Sequence, residues 1–289
     1  MVGGGLPIPG AAAYSQDMDA LRVCLYVYAG VCLATWLMSV LTKEYSWVDR
    51  IWSLVPLAYT GIFAGAAGFH DARLDVMFAL VVLWGARLTF NFARKGGYLR
   101  GGEDYRWAVL RARMTPGQFQ LFNLFFIVLY QNAILLLITL PADTALDHRT
   151  SFGVADGALT VLFLGFLVGE TVADQQQWTF QQWKRAELAA GRDPVRFLQT
   201  GLFRYSRHPN FFFEQAQWWA IAGFGVAATR TVPWTVLGAV LLTALFIGST
   251  RFTESISLSR YPEYADYQRR TSAVVPWWPR RPSSVSPHP

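Results

Sequence analysis

Several polar side chains stand where hydrocarbon should surround them. Arg87, Asp174, Arg207, His208, Asn210 and Glu214 lie within or at the rims of long apolar stretches. Ionisable groups are expensive in lipid, so such positions mark function by default. Asp174 follows Glu170 by four residues, Glu214 follows Asn210 by four, and Gln217 comes three later. Those intervals put each set on one helix face. Cations with carboxylates behind them suit a phosphate-bearing ligand: the cations meet phosphate, and the acids accept from ribose or amide groups. The structural reading of the same residues is mutual pairing, with Arg87 neutralising Asp174 or Glu214. For Gln131 and Asn132, midway along another apolar stretch, interhelical hydrogen bonding is the favoured role.

The densest motif runs Gly201-Leu-Phe-Arg-Tyr-Ser-Arg-His-Pro-Asn-Phe-Phe-Phe-Glu214. A glycine turn leads into basic and aromatic residues, and Pro209 then opens a helix, a favoured position for proline. The free amides of that helix start, with Arg207 and His208, form an anion-receptive corner. The Gly-rich, charged run Gly96–Trp107 has no strand before it and matches neither a P-loop nor a dinucleotide fingerprint. It reads as a flexible turn or as a lid. No HExxH or CxxC occurs, and Cys24 and Cys32, eight apart in one apolar stretch, read as packing. No metal site is expected.

The elements that must hold these groups are spanning helices. Hydrophobic residues make up 53% of the 289, and charged residues only 15%, against roughly 25% in soluble domains. Twelve Trp, twelve Tyr and twenty-one Phe suit two membrane interfaces. Apolar stretches long enough to cross run 20–41, 51–69, 74–92, 119–140, 154–173, 211–228 and 232–250. The segments after the third and fifth stretches and after the seventh are rich in Arg and Lys, while the alternate loops are nearly bare. The fold expected is therefore an all-α integral membrane bundle of about seven transmembrane helices, N-terminus outside and C-terminus cytoplasmic. Residues 175–199 read as an interfacial amphipathic helix. Residues 1–278 are expected to form a single domain, and 279–289 a disordered tail. Met1 to Gln16 lacks the basic start of a cleaved signal peptide. The net charge of +6 sits between apolar stretches, which points to membrane orientation and an anionic cofactor rather than nucleic acid.

At Gly201–Glu214 the sequence resembles a known family. Gly-Leu-Phe-x-Tyr, then Asn210-Phe-Phe-Phe-Glu214 and Trp218, resembles the C-terminal domain of the steroid 5-alpha-reductase family, most of all the members with the Arg-His-Pro-Asn form. Asp174, Arg87, Tyr264-x-x-Tyr267 and Val275-Pro276 extend the likeness over most of the chain. The resemblance implies a helical bundle around NADPH that reduces a carbon–carbon double bond conjugated to a ketone in a lipid or steroid-like substrate. It implies that Asp174, Tyr205, Asn210 and Glu214 line the cofactor pocket and that Arg87 helps fix it. Lys184 or Arg185 would stand near the family's phosphate-binding arginine, and Arg251 and Arg260 would close over the adenosine end.

For catalysis the family uses an acid near the start of the second span and a tyrosine in the third. Asp49, ahead of Pro56, matches the acid and would polarise the carbonyl if protonated. Trp84 stands where the tyrosine would be, and an indole N–H donates a hydrogen bond but is no proton-donating acid. Tyr45, Tyr59 and Tyr130 are the possible substitutes. A monomer among membrane lipids is expected, in the endoplasmic reticulum of a eukaryote or the inner membrane of a bacterium. The Arg-His-Pro-Asn form is similar, too, to membrane methyltransferases of isoprenylcysteine or phospholipid amines, which use S-adenosylmethionine. A non-enzymatic sterol or lipid binder on the same scaffold is the third alternative.

Overall fold

A computed structural model describes the backbone of residues 9–280 and the side chains from Asp19 onward. Residues 1–8 and 281–289, which include most of the segment expected to be a disordered tail, lie outside the described residues. Every named element is helical: α1 Pro9–Thr42, α2 Trp47–Ile51, α3 Val55–Ala66, α4 Ala72–Arg94, α5 Tyr105–Arg111, α6 Pro116–Phe122, α7 Gln131–Leu137, α8 Leu140–Asp147, α9 Val154–Ala189, α10 Pro209–Thr229, α11 Leu237–Arg260 and α12 Tyr264–Arg270. A π-helical stretch, Asn123–Tyr130, joins α6 to α7.

Among the described residues, five segments are long and apolar enough to cross a membrane: Asp19–Thr42, Ala72–Arg94, Pro116–Asp147, Val154–Ala189 and Trp234–Arg260. Their outward faces carry exposed Val161, Val168, Leu121, Phe125 and Phe90, which only a lipid environment makes inexpensive. The chain is a multi-pass membrane protein. The apolar stretch 51–69 is not one helix. Pro56 lacks an N–H and clashes with the carbonyl four residues back, so it is tolerated only in a first turn. The chain accordingly turns at Trp52–Leu54 and restarts as α3 with Pro56 in its opening turn. At about 1.5 Å per residue α3 is too short to cross alone. The separate interfacial helix expected over 175–199 is also corrected, because α9 runs unbroken from Val154 to Ala189. Nothing in 174–189 breaks a helix, and Gly191 ends the run at a positive φ of 72°.

The chain forms two compact units. One comprises the described residues up to Phe163 with Trp218–Leu242, and the other Leu164–Gln217 with the described residues from Thr243 on.

In the first unit α1, α3, α4, α7 and α8 pack together. Asn132 Nδ2 reaches Thr35 Oγ1 at 3.4 Å, and Asn123 Nδ2 reaches Ser39 Oγ at 2.9 Å. Asn132 thus has the interhelical role expected of it. Arg73, buried, clamps Asp156 with bonds of 2.7 and 2.9 Å and donates to Thr150 and Ser151. Asp71 caps α4 by accepting from Arg73 N and Leu74 N. Thr115 and Gln118 form a reciprocal cap on α6.

In the second unit α9 and α10 approach closely. A Cβ on Gly169 would meet the Phe213 ring at 2.6 Å, so glycine there lets the ring lie against the α9 backbone.

Candidate functional site

Most cofactor candidates fall in the second unit. Asp174 and Glu214 are 4% and 5% exposed, on α9 and α10. Glu170, one turn before Asp174, is 4% exposed and accepts from Gln217 Nε2 at 2.6 Å. Asn210 is half-buried in the first turn of α10. The facing surfaces of α9 and α10 therefore offer buried carboxylates and amides, chemistry suited to ligand hydroxyl and N–H donors. Glu170 and Gln217 were legible in the sequence as helix-face neighbours of the candidates, and the structure joins them.

Arg207 and His208 have protein partners. Arg207 Nε and Nη2 meet the two oxygens of Glu254 at 2.6 and 2.9 Å. Its Nη1 donates to the carbonyls of Gln268, at 3.0 Å, and Thr271. His208 Nε2 lies 3.1 Å from Glu254 Oε1, and Gln268 Nε2 and Tyr264 Oη also reach the Glu254 carboxylate. Burial opposes the charge of Arg207, but the bonds and charge of Glu254 outweigh it and hold the guanidinium above the usual arginine range. The anion-receptive corner expected here is thus already occupied by a carboxylate of the chain itself. Glu254, which with Arg251 resembles the Glu-rich terminal helix of the membrane methyltransferases, was not expected as the partner of Arg207, because the seventh apolar stretch was read to end at Thr250, whereas α11 continues to Arg260. A carboxylate in an apolar helix is the signal that would have found it.

The same corner holds a strap. Arg207 N and His208 N donate to Ser272 O and Ala273 O at 2.8 and 3.1 Å, and Trp277 N donates to Tyr205 O at 2.9 Å. The Tyr205 ring stands edge-on to Trp278 at 5.4 Å. Gly201 starts the turn at φ +62°, where a Cβ would lie 2.5 Å from the Gln176 amide. Gln176 Oε1 in turn accepts from Leu202 N at 2.9 Å and ties the turn to α9. Lys184 donates to Arg196 O at 2.6 Å and lies over the Tyr261 ring. Arg251 and Arg260 are exposed.

The catalytic candidates and Arg87 belong to the first unit. Arg87 is half-buried on α4. Asp49, in α2, accepts from Trp107 Nε1 at 2.9 Å through Oδ2. Part of its surface stays exposed, yet the protein around it removes enough water to push its pKa above the ordinary aspartate range. The Asp104 charge adds to this, against the bonds from Trp107 and Ser46 and the charge of Arg106. Tyr45 is buried edge-on to Phe119 at 4.7 Å, and its hydroxyl accepts from Gln120 Nε2 at 2.9 Å. Tyr45, Val48, Trp107, Phe119 and Ile127 form one apolar cluster, so Asp49 and Tyr45 share a neighbourhood. Trp84 is fully buried edge-on to Trp218 at 4.8 Å.

The Gly-rich loop is held down. Gly101 N donates to Glu44 Oε1 at 3.0 Å, Arg50 joins Glu44 to the carbonyls of Gly97 and Leu99, and Glu103 accepts from Tyr45 N and Arg111. The loop is a latched cover over the start of α2.

Comparison with known proteins places most of this chain in one family. The DUF1295 model, described as a protein of unknown function, matches residues 35–271. The Schizosaccharomyces pombe "Uncharacterized protein C594.04c" is 39% identical over 259 residues, covering 83% of this chain and 75% of the yeast protein. No solved structure matches.

Proposed function

The chain belongs to the DUF1295 family, and for it we propose a membrane-embedded reductase that uses NADPH to reduce a carbon–carbon double bond conjugated to a ketone in a lipid or steroid-like substrate. The observation that carries this reading is the buried acid and amide surface of α9 and α10, with Asp174, Glu214, Glu170 and Gln217. The resemblance of Gly201–Glu214 to the steroid 5-alpha-reductase family adds to it. Seven crossings, with the N-terminus outside and the C-terminus cytoplasmic, belong to the same proposal, as do a monomeric state and residence in the endoplasmic reticulum or a bacterial inner membrane.

These acceptors fit the hydroxyl and carboxamide parts of the cofactor, because carboxylates and a side-chain amide oxygen accept hydrogen bonds from such groups. Phosphate does not fit at Arg207, whose charge Glu254 neutralises; exposed Arg251 and Arg260 suit phosphate better. When bound, NADPH supplies a hydride to the carbon beta to the ketone. In this reading Asp49, whose pKa its surroundings raise, would donate to the ketone oxygen as negative charge develops, and a proton would then reach the carbon alpha to the ketone. Trp107 Nε1 fixes the orientation of that carboxyl.

A second reading is favoured by one observation. Glu254 gathers Arg207 and His208 of the Arg-His-Pro-Asn motif, the feature shared with S-adenosylmethionine-dependent membrane methyltransferases.

Thermal unfolding of detergent-solubilised protein with NADPH or with S-adenosylmethionine separates the two, since a ligand of the folded state raises apparent stability. The reductase reading expects a shift with NADPH that Glu214→Ala abolishes at unchanged folded yield. A shift with S-adenosylmethionine alone overturns it. A shift with neither leaves a lipid or sterol binder.

A further inference from the structure

The outer face of α9 continues past the apolar part of the helix. Leu164, Val168 and Val172 are exposed along one stripe, and Gln176, Thr179 and Trp183 extend it at intervals of three and four residues. A hydrocarbon core of about 30 Å takes about 20 residues of helix, so a crossing that starts at Val154 ends near Ala173. Gln175 to Phe180 then stand at headgroup depth. There the stripe opens into a groove of about 420 Å³ between α9 and residues 198–201. Buried Phe180 lines it, with the exposed Trp183 ring 5.7 Å away. Asp174 comes two residues before Gln176, about 200° around the helix. The groove is therefore on the face opposite the buried acids of α9, separate from the cofactor site proposed above.

The polar groups along the groove are set as donors. Gln176 Oε1 is taken by Leu202 N at 2.9 Å, which leaves the amide N–H groups to a ligand. Thr179 Oγ1 accepts from Gln175 Nε2 at 3.1 Å, which leaves its own hydrogen to donate. The Trp183 indole can only donate, and the Thr200 hydroxyl stands on the facing segment. Among the described residues, no charged side chain lines the groove. Neutral donors at headgroup depth match ester and phosphate oxygens, and the apolar stripe below them matches acyl chains.

We propose that this groove seats the glycerol–phosphate region of one membrane phospholipid, with its chains along Leu164, Val168 and Val172. Recognition falls on the ester and phosphate oxygens that such lipids share, not on headgroup charge.

The test titrates phospholipid into delipidated full-length protein and follows the first lipid bound by native mass spectrometry. Dioleoyl phosphatidylcholine and dioleoyl phosphatidylglycerol are the probes, and closely similar affinities are expected. Thr179→Trp, which fills the groove from an exposed position, should weaken the first lipid by tenfold or more. Thr200→Val, which removes a donor, should weaken it less and covers the case in which Thr179→Trp does not fold. Glycerophosphocholine, the same headgroup without chains, should not compete. Absence of a discrete first lipid, its unchanged affinity in both variants, or a tenfold preference for phosphatidylglycerol overturns the inference. Displacement of the phospholipid by a steroid enone would make the groove a substrate site and overturns it as well.

Discussion

Arg207 and Glu254 face each other through two parallel charge-assisted bonds of 2.6 and 2.9 Å, in a setting where both are largely buried. Arg207 Nη1 also holds the carbonyls of Gln268, within α12, and of Thr271, just after it. Removing one partner strands a buried charge, which costs about 3–5 kcal/mol. Arg207→Ala and Glu254→Ala are each expected to lower the melting temperature and expose the strap 271–278 to protease. Limited proteolysis followed by mass mapping checks this, and an unchanged cleavage pattern would show the strap held by its backbone bonds alone.

The Arg73–Asp156 clamp makes a contrasting case. Arg73→Ala should also cost about 3–5 kcal/mol, while a paired Arg73→Met, Asp156→Leu replacement should come close to neutral, because no lone buried charge remains. Unfolding of the single and double variants in one detergent decides it. Equal losses would mean that the Thr150 and Ser151 contacts of Arg73 dominate.

Asp49 gives a signed pH dependence. Its folded pKa is raised by burial and by Asp104, so the folded state holds the proton more tightly than the unfolded chain. The resulting stability is fully present below the ordinary aspartate range and is lost as pH climbs through the raised folded value. Asp49→Asn, which mimics the protonated carboxyl and can still accept from Trp107, should gain on wild type as pH increases. Melting temperatures from pH 4 to 8 measure the gap. Parallel curves would refute the assignment. Under the reductase reading the same variant keeps NADPH binding and slows turnover.

Gly201 provides a backbone test. An alanine at φ +62° adopts a left-handed conformation costing about 1–2 kcal/mol, and its Cβ would press on the Gln176 amide at 2.5 Å. Gly201→Ala is expected to destabilise, and Gln176→Ala in the same chain to cost less than the sum of the two single changes. A double-mutant cycle measures that coupling; strict additivity would mean the strain is purely backbone.

The apolar stretches announced helices because lipid leaves the backbone no other spanning solution but a closed barrel. What escaped was set by single residues or by distance. Pro56 divides one stretch into a short helix and a turn. The π-helical register of Asn123–Tyr130 leaves no compositional trace, although Phe122, Phe126 and Tyr130 stack in sequence along it. The polar face of α9 beyond Asp174 looked like a separate surface helix because hydropathy, not continuity, was the signal. Asp174 and Glu214 were legible as costly residues, and the structure buries both. Arg207 was legible too, but its partner was not: a pairing across 47 residues has no local spacing to betray it. Gln217 showed only as a neighbour on a helix face, since its bond to Glu170 also spans 47 residues.

The Arg207–Glu254 clamp also has a consequence for how the protein is made. Glu254 emerges 47 residues after Arg207, an interval of roughly 2–10 s at a synthesis rate of about 5–20 residues per second. Until Glu254 is made, the Arg207 guanidinium cannot have the counter-charge that it has in the folded chain. A late stop codon that removes α12 and the strap spares most of the apolar mass, yet it deletes the carbonyls that close the corner. Truncation after Arg260 is therefore expected to destabilise the second unit by removing the Gln268 and Thr271 carbonyls from Arg207.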